Sequence, residues 1–319
     1  MAEIPVVPGM NPPSEAPGVV LRVAGLRKRY GSRAVVDGIA FDVHCGECFG
    51  LLGPNGAGKT TTLRMLTGLC PADAGTLEIF GIPMAPEHRH LPERMGVVPQ
   101  EDNLDAELTV RENLQVYGRY FGLPRTRVAA RIETLLDFVQ LTERAADPVR
   151  DLSGGMKRRL VIARSLIADP RLVILDEPTT GLDPQARYLI WQRLRLLKEQ
   201  GVTLLLTTHY MEEAARLCDR LLILDQGRIL DLGSPLELIA RHASPQVLEI
   251  RSPAGPPPAA WFEDAQARCE VVGDALLCYA QPLDTLMRRA EARPELTLLR
   301  RPANLEDVFL RLTGRELRD

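Results

Sequence analysis

The stretch Gly53-Pro54-Asn55-Gly56-Ala57-Gly58-Lys59-Thr60 constrains this chain more than any other. It sets three glycines, one lysine and one hydroxyl in the pattern G-x-x-x-x-G-K-[ST], a loop that holds a nucleoside triphosphate. The apolar run Cys48-Phe49-Gly50-Leu51-Leu52 before it reads as a strand, and Thr61-Thr62-Leu63-Arg64-Met65-Leu66 after it as the start of a helix. The glycines let backbone N–H groups turn toward the phosphates. Lys59 is placed to reach the β- and γ-phosphates as a point charge, Thr60 to ligate Mg²⁺, and the helix N-terminus adds its partial positive charge.

At 319 residues the chain has room for about two domains, and 45% apolar with 25% charged residues is ordinary for a globular protein. A formal charge of −3 gives no general basic surface, so no nucleic-acid partner is expected. No apolar run reaches the length of a membrane span. Pro5, Pro8, Pro12, Pro13 and Pro17 make residues 1–18 read as a disordered tail, so a cytosolic chain is expected, with any membrane contact made through a partner. Six cysteines in a chain of this length suit a reducing compartment. Cys45-Gly46-Glu47-Cys48 is a C-x-x-C, but without a second pair at zinc spacing it reads as a turn feeding the strand before the loop.

Upstream of the loop, Val19 to Val23, Ala34 to Val36 and Ile39 to Val43 read as three strands, with a turn at Arg29-Tyr30-Gly31. The Tyr30 ring could stack on an adenine, although an aromatic in a turn is more often plain packing. Downstream, Met95-Gly96-Val97-Val98-Pro99-Gln100 is a short strand ending in a glutamine. Thr109-Val110-Arg111-Glu112 then fits a capping box, and the residues that follow carry apolar positions at helical spacing. Residues 101–170 therefore read as a helical insertion. Near its end Ser153-Gly154-Gly155 opens a helix with a cap and two glycines, which is either a second anion site or simply a capped helix with a basic first turn.

Leu172-Val173-Ile174-Leu175-Asp176-Glu177 is an apolar strand ending in two acids, the pattern of a buried parallel strand that delivers carboxylates to its edge. Asp176 suits Mg²⁺ through water, and Glu177 suits polarising an attacking water. Residues 202–208 form another buried strand that ends at His209, which could bond a γ-phosphate or could be a satisfied structural histidine. Leu221 to Leu224 and Arg228 to Leu230 read as a hairpin, and Ser234-Pro235-Leu236-Glu237 caps a helix. Pro253, Pro256, Pro257 and Pro258 mark a linker or long loop, and the remainder reads as a small α/β appendage without a second active site.

Taken in order, Tyr30, the 53–60 loop, Gln100, Leu152-Ser153-Gly154-Gly155-Met156, Asp176-Glu177, Gly181-Leu182-Asp183 and His209 resemble the ATP-binding subunit of ABC transporters over residues 19–240. The resemblance implies an α/β fold: a P-loop NTPase domain of the ABC type at 19–243 with its helical insertion, plus a small C-terminal α/β domain at 244–319 with an accessory or regulatory role. It also implies ATP hydrolysis with Mg²⁺. In the family these positions are the adenine-stacking aromatic, Walker A, the Q-loop glutamine, the signature, Walker B with its catalytic glutamate, the D-loop and the switch histidine. Glu177, His209 and Gln100 would then be catalytic. Tyr30, Gly53 through Thr61 and Asp183 would bind ATP, with Ser153, Gly154 and Gly155 reaching the ATP of a partner subunit, and Thr60, Gln100 and Asp176 would hold Mg²⁺. Two subunits would dimerise head to tail and dock on an integral-membrane permease at the cytoplasmic face of the bacterial inner membrane. Met156 departs from the glutamine of many members.

A narrower resemblance rests on Thr109-Val110-Arg111-Glu112-Asn113-Leu114, Tyr117-Gly118-Arg119-Tyr120-Phe121, Ser153 through Arg159, Leu217-Cys218-Asp219-Arg220 and the ending from Asn304 to Glu316. These are similar to the NodI family of nodulation-factor export ATPases, and less closely to DrrA-type drug-exporter ATPases. The likeness implies a NodJ-type permease of the ABC-2 class and a lipo-chitooligosaccharide cargo, the alternative being a drug, glycolipid or polysaccharide exporter with the same chemistry. A non-transport ABC ATPase acting on ribosomes or nucleic acid is the remote alternative. Those factors resemble tandem cassettes, and this chain has one cassette and no strongly basic segment.

Overall fold

Strand Cys48–Leu52 and strand Leu172–Asp176 are buried at every residue, as expected for parallel strands covered on both faces. In the computed structural model, which describes residues 18–84, 94–243, 245–262, 268–280 and 283–314, they lie in one sheet and organise the larger part of the chain. The expected tail falls almost wholly outside the described residues. The chain divides into two compact units, 1–229 and 230–319.

The first unit begins with the long antiparallel pair β1 (Val19–Tyr30) and β2 (Arg33–His44). Two strands were expected where β2 runs unbroken. Gly38, at φ +75°, is the extra residue of a bulge between Asp37, which pairs with Arg27, and Ile39, which pairs with Leu26. β3 (Cys48–Leu52) leads through the phosphate loop into α1 (Lys59–Leu66). β4 (Ala74–Ile79) and β5 (Ile82–Pro83) complete an antiparallel sheet in the order β2-β1-β4-β5. β6 (Met95–Val98) follows, then α2 (Val110–Tyr120), α3 (Arg125–Phe138) and α4 (Gly154–Ser165). α2 starts with the expected capping box between Thr109 and Glu112. β7 (Leu172–Asp176), α5 (Pro184–Glu199), β8 (Thr203–Thr208), α6 (Met211–Leu217) and β9 (Arg220–Asp225) alternate strand and helix.

Alternation of this kind produces parallel pairing, and the strands align in the order β9-β3-β8-β7-β6. The register fixes the site. Leu52 pairs with Thr208 and Asp176 with Thr207, so β3, β7 and β8 end side by side. The residues just past those ends are the phosphate loop, Glu177 and His209.

β10 (Arg228–Gly233) carries the division between the units, and α7 (Pro235–His242), capped by Ser234 with Glu237, belongs to the second. The sequence places the domain boundary at 243/244. The contacts place the division at 229/230, with α7 packed on the last helix among the described residues, Leu305–Thr313. β11 (Gln246–Arg251), β12 (Arg268–Val272), β13 (Ala275–Tyr279), α8 (Asp284–Glu291), β14 (Thr297–Pro302) and α9 (Leu305–Thr313) complete this unit. Its antiparallel sheet runs β12-β13-β11-β14. Alternate residues of the central strands supply two cores. Leu248, Ile250, Leu276 and Cys278 pack with Phe262 and Leu286, while Val247, Leu277 and Tyr279 pack with Leu310. Phe262 closes the Pro-rich stretch, which is thus a loop anchored in this core.

Candidate nucleotide site

The loop after β3 owes its shape to backbone that only glycine tolerates. A Cβ on Gly53 would lie 2.2 Å from the Leu224 carbonyl oxygen, and one on Gly58, at φ +107°, would lie 2.5 Å from that of Val35. Turned this way, the loop seats Lys59 at 4% exposure. Its Nζ donates to the Gly53 carbonyl at 2.8 Å and the Pro54 carbonyl at 3.2 Å, and stands 3.2 Å from Glu177 Oε1.

β7 and β8 bring the acids to the same place. Asp176 Oδ1 accepts from Thr207 Oγ1 at 2.6 Å and from Thr60 Oγ1 at 3.4 Å. Glu177, at 6% exposure, accepts from Thr180 Oγ1 at 3.1 Å, and its Oε2 lies 3.3 Å from His209 Nδ1. Its backbone N–H is anchored on Thr207, and its φ of +46° lies in the left-handed region that non-glycine residues rarely occupy. Lys59, Asp176, Glu177 and His209 therefore meet at one sheet edge, drawn from three loops widely separated in sequence.

The charges shape one another. Burial alone would raise the Glu177 carboxyl, but the His209 hydrogen bond and the Lys59 charge hold it down at about 2. Burial raises the Asp176 carboxyl against the opposing bonds from Thr207 and Thr60. Burial lowers the Lys59 ammonium despite the carboxylates beside it. Glu177 is thus ionised at neutral pH, as a group that polarises water must be.

Gln100 follows β6 and lines one cleft with Thr60 and Asp176, so the three oxygen donors expected for Mg²⁺ face a shared space. Thr61 sits in the first turn of α1. Tyr30 ends β1 with its ring half exposed and its hydroxyl 3.5 Å from Cys70 Sγ. Ser153 and Gly154 are exposed at the start of α4, where Ser153 Oγ accepts from the Met156 N–H at 3.3 Å. Asp183 caps α5 by accepting from Ala186 N–H at 2.9 Å, and a Cβ on Gly155 would meet Ala186 at 2.9 Å. Ser153 and Asp183 thus start two adjoining helices. Of the C-x-x-C pair, Cys48 is a buried free thiol that shares a hydrogen bond with the free thiol of Cys218.

Sequence reasoning passed over Thr207 and Arg158. Thr207 pairs with Asp176 across the ladder, a register that follows only once the strand order is known. Arg158 reads as part of a basic first turn, but it sits four residues before the buried Ile162, on the inward face of α4.

Comparison with known proteins follows the same lines. The family profile of the ABC transporter matches residues 36–180, and that of the nodulation factor export protein NodI, C-terminal domain, matches residues 259–314. The Nod factor export ATP-binding protein I of Ralstonia nicotianae is 56% identical over 307 residues, 94% of this chain and 95% of the relative. That of Mesorhizobium japonicum is 52% identical over 96% of this chain and 90% of the relative. The chain belongs to the family of the Nod factor export ATP-binding protein I. Members of this ABC family are ATPase subunits of exporters, and the chain is an ATP-hydrolysing enzyme. Solved structures agree in fold. An ATP-binding subunit of an ABC transporter aligns with a TM-score of 0.64 and 32% identity, covering 70% of this chain and 92% of that one. The cbiO1 protein of Clostridium perfringens, part of the ABC transporter complex cbiONQ, aligns at 0.65 and 28%, covering 70% and 91%. Among the described residues no helix is long and apolar enough to cross a membrane.

Proposed function

We propose that this chain powers the export of nodulation factors, lipo-chitooligosaccharides, from the cytoplasmic face of a bacterial inner membrane through an ABC-2 permease of the NodJ type. The observation that carries this reading is that the likeness to Nod factor export proteins extends beyond the ABC transporter match at residues 36–180 to residues 259–314. A general ATPase function would require likeness only in the first unit.

In this reading Glu177 orients and polarises the attacking water, helped by His209, which also contacts the γ-phosphate. Lys59 and the N–H groups of residues 53–61 bind the β- and γ-phosphates, and Tyr30 stacks on the adenine. Thr60, Asp176 and Gln100 would hold Mg²⁺, which neutralises phosphate charge when bound. The N-terminus of α4, with Ser153, Gly154 and Gly155, covers the ATP of a second subunit, and Asp183 lies at the same seam. The functional unit is then a head-to-tail homodimer whose closure and opening drive the permease. By the sequence boundary residues 19–243 serve as the ATPase domain and residues 244–319 as a dimer-supporting or regulatory domain, although α7 packs within the second unit.

The test is export. Deleting the gene in a producing bacterium should retain lipo-chitooligosaccharide in the cells, and the wild-type gene but not a Lys59→Ala copy should restore secretion. Unchanged secretion in the deletion strain would refute the cargo and turn attention to a drug or glycolipid.

A further inference from the structure

Arg158 lies on α4 just past its cap, Ser153, with only 4% of its surface exposed. Its guanidinium faces backbone carbonyls at the ends of two separate strands, β6 and β7. Nε donates to Pro178 O at 2.8 Å, and Nη2 donates to Asp176 O at 2.9 Å and Glu177 O at 3.1 Å. Nη1 donates to Gln100 O at 3.4 Å and to Pro99 O. The Asp102 carboxylate stands 3.9 Å away. Three of the five carbonyls belong to the end of β7 and two to the segment after β6.

Burying a guanidinium is costly unless its donors are satisfied, and its rigid planar fork reaches several acceptors at once. The acceptors here flank the two residues proposed to handle water and metal. Glu177 holds a left-handed φ of +46°, a conformation that persists only where the surroundings enforce it. Arg158 grips the carbonyls just before it, at it and just after it.

We infer that Arg158 is a positioning residue for hydrolysis, fixing the Glu177 carboxylate and the Gln100 segment in one frame. The inference rests on the reading above that Glu177 polarises the attacking water. Arg158 and Ser153 share one helix, so a shift of α4 on contact with a partner's ATP moves the same carbonyls. Contact at one nucleotide is thereby felt at the Glu177 of the other.

The experiment compares wild type, Arg158→Lys, Arg158→Met and Glu177→Gln in the full chain, measuring ATP affinity and steady-state phosphate release. A lysine ammonium keeps the charge but cannot span both segments. ATP affinity should stay within about twofold while kcat falls at least ~10-fold in Arg158→Lys and further in Arg158→Met. Combined with Gln100→Ala, the Arg158→Lys loss should be smaller than the product of the two single losses, because both act on one frame. Should Arg158→Met fail to fold, the lysine variant and this cycle carry the test. Wild-type kcat in Arg158→Lys, a loss confined to ATP affinity, or fully multiplicative losses would overturn the inference. A stalled Glu177→Gln beside a normal Arg158→Lys would sink the inference alone. Normal turnover in Glu177→Gln would sink the underlying reading and the inference with it.

Discussion

Lys59 Nζ lies 3.2 Å from Glu177 Oε1, with both side chains nearly closed off from solvent. One ammonium thus serves both the phosphate loop and the acid after β7, so changes at either residue should be felt at both.

Lys59→Ala removes the point charge for the phosphates. Losing one charge-assisted contact of this kind costs about 1.5–3 kcal/mol, so ATP should bind roughly 10–100-fold more weakly. Titration with a fluorescent nucleotide measures this, and unchanged affinity would count against the loop's role.

Acid should expose the Glu177 interactions. Its carboxyl is held at about 2 against an ordinary 4.5, so its contribution to stability is complete above pH 4.5 and is lost as pH falls toward 2. The urea midpoint of the wild type should therefore exceed that of Glu177→Gln by a constant margin at pH 6 and 5, and the margin should shrink at pH 3. A margin that widened with acid would contradict the assignment.

Gly53→Ala should damage the loop more than its size suggests, because the new methyl would lie 2.2 Å from the Leu224 carbonyl oxygen, which is backbone. We expect a loss above about 2 kcal/mol in stability with ATP binding abolished, read by thermal denaturation and nucleotide titration. At Gly154 a Cβ meets nothing within 4 Å, so Gly154→Ala should leave the melting temperature near wild type.

In the second unit Asp307, at 1% exposure, accepts from Tyr279 Oη at 3.0 Å, from both terminal nitrogens of Arg301, and from the Asn304 N–H in the cap of α9. Asp307→Ala would strand these donors at a cost of about 3–5 kcal/mol. Hydrogen exchange should quicken across β11, β13 and α9. Unaltered exchange there would show that the network contributes little.

Much of this was legible because the chemistry is carried by motifs whose neighbours announce their geometry. The Gly53–Thr60 spacing and the apolar run into Asp176-Glu177 told both the loop and the strand end before any contact was known. For His209 the residues alone leave a structural and a chemical role open, and its place beside Glu177 was not legible. That depended on β8 lying between β3 and β7, and strand order is a long-range property. The unbroken β2 was missed because Asp37-Gly38 reads as a turn, whereas here the glycine is absorbed as a bulge. Arg158 was hidden for a related reason. An arginine among Lys157 and Arg159 looks solvated, and only its carbonyl partners, 18 to 59 residues away, show otherwise.

The most direct test of the account is phosphate release from Mg-ATP by purified Glu177→Gln beside wild type. We predict retained ATP binding with release slowed by about 10²–10⁴-fold and a dimer that persists with ATP on size-exclusion chromatography. Wild-type turnover by Glu177→Gln would contradict the claim that the carboxylate beside Lys59 polarises the hydrolytic water.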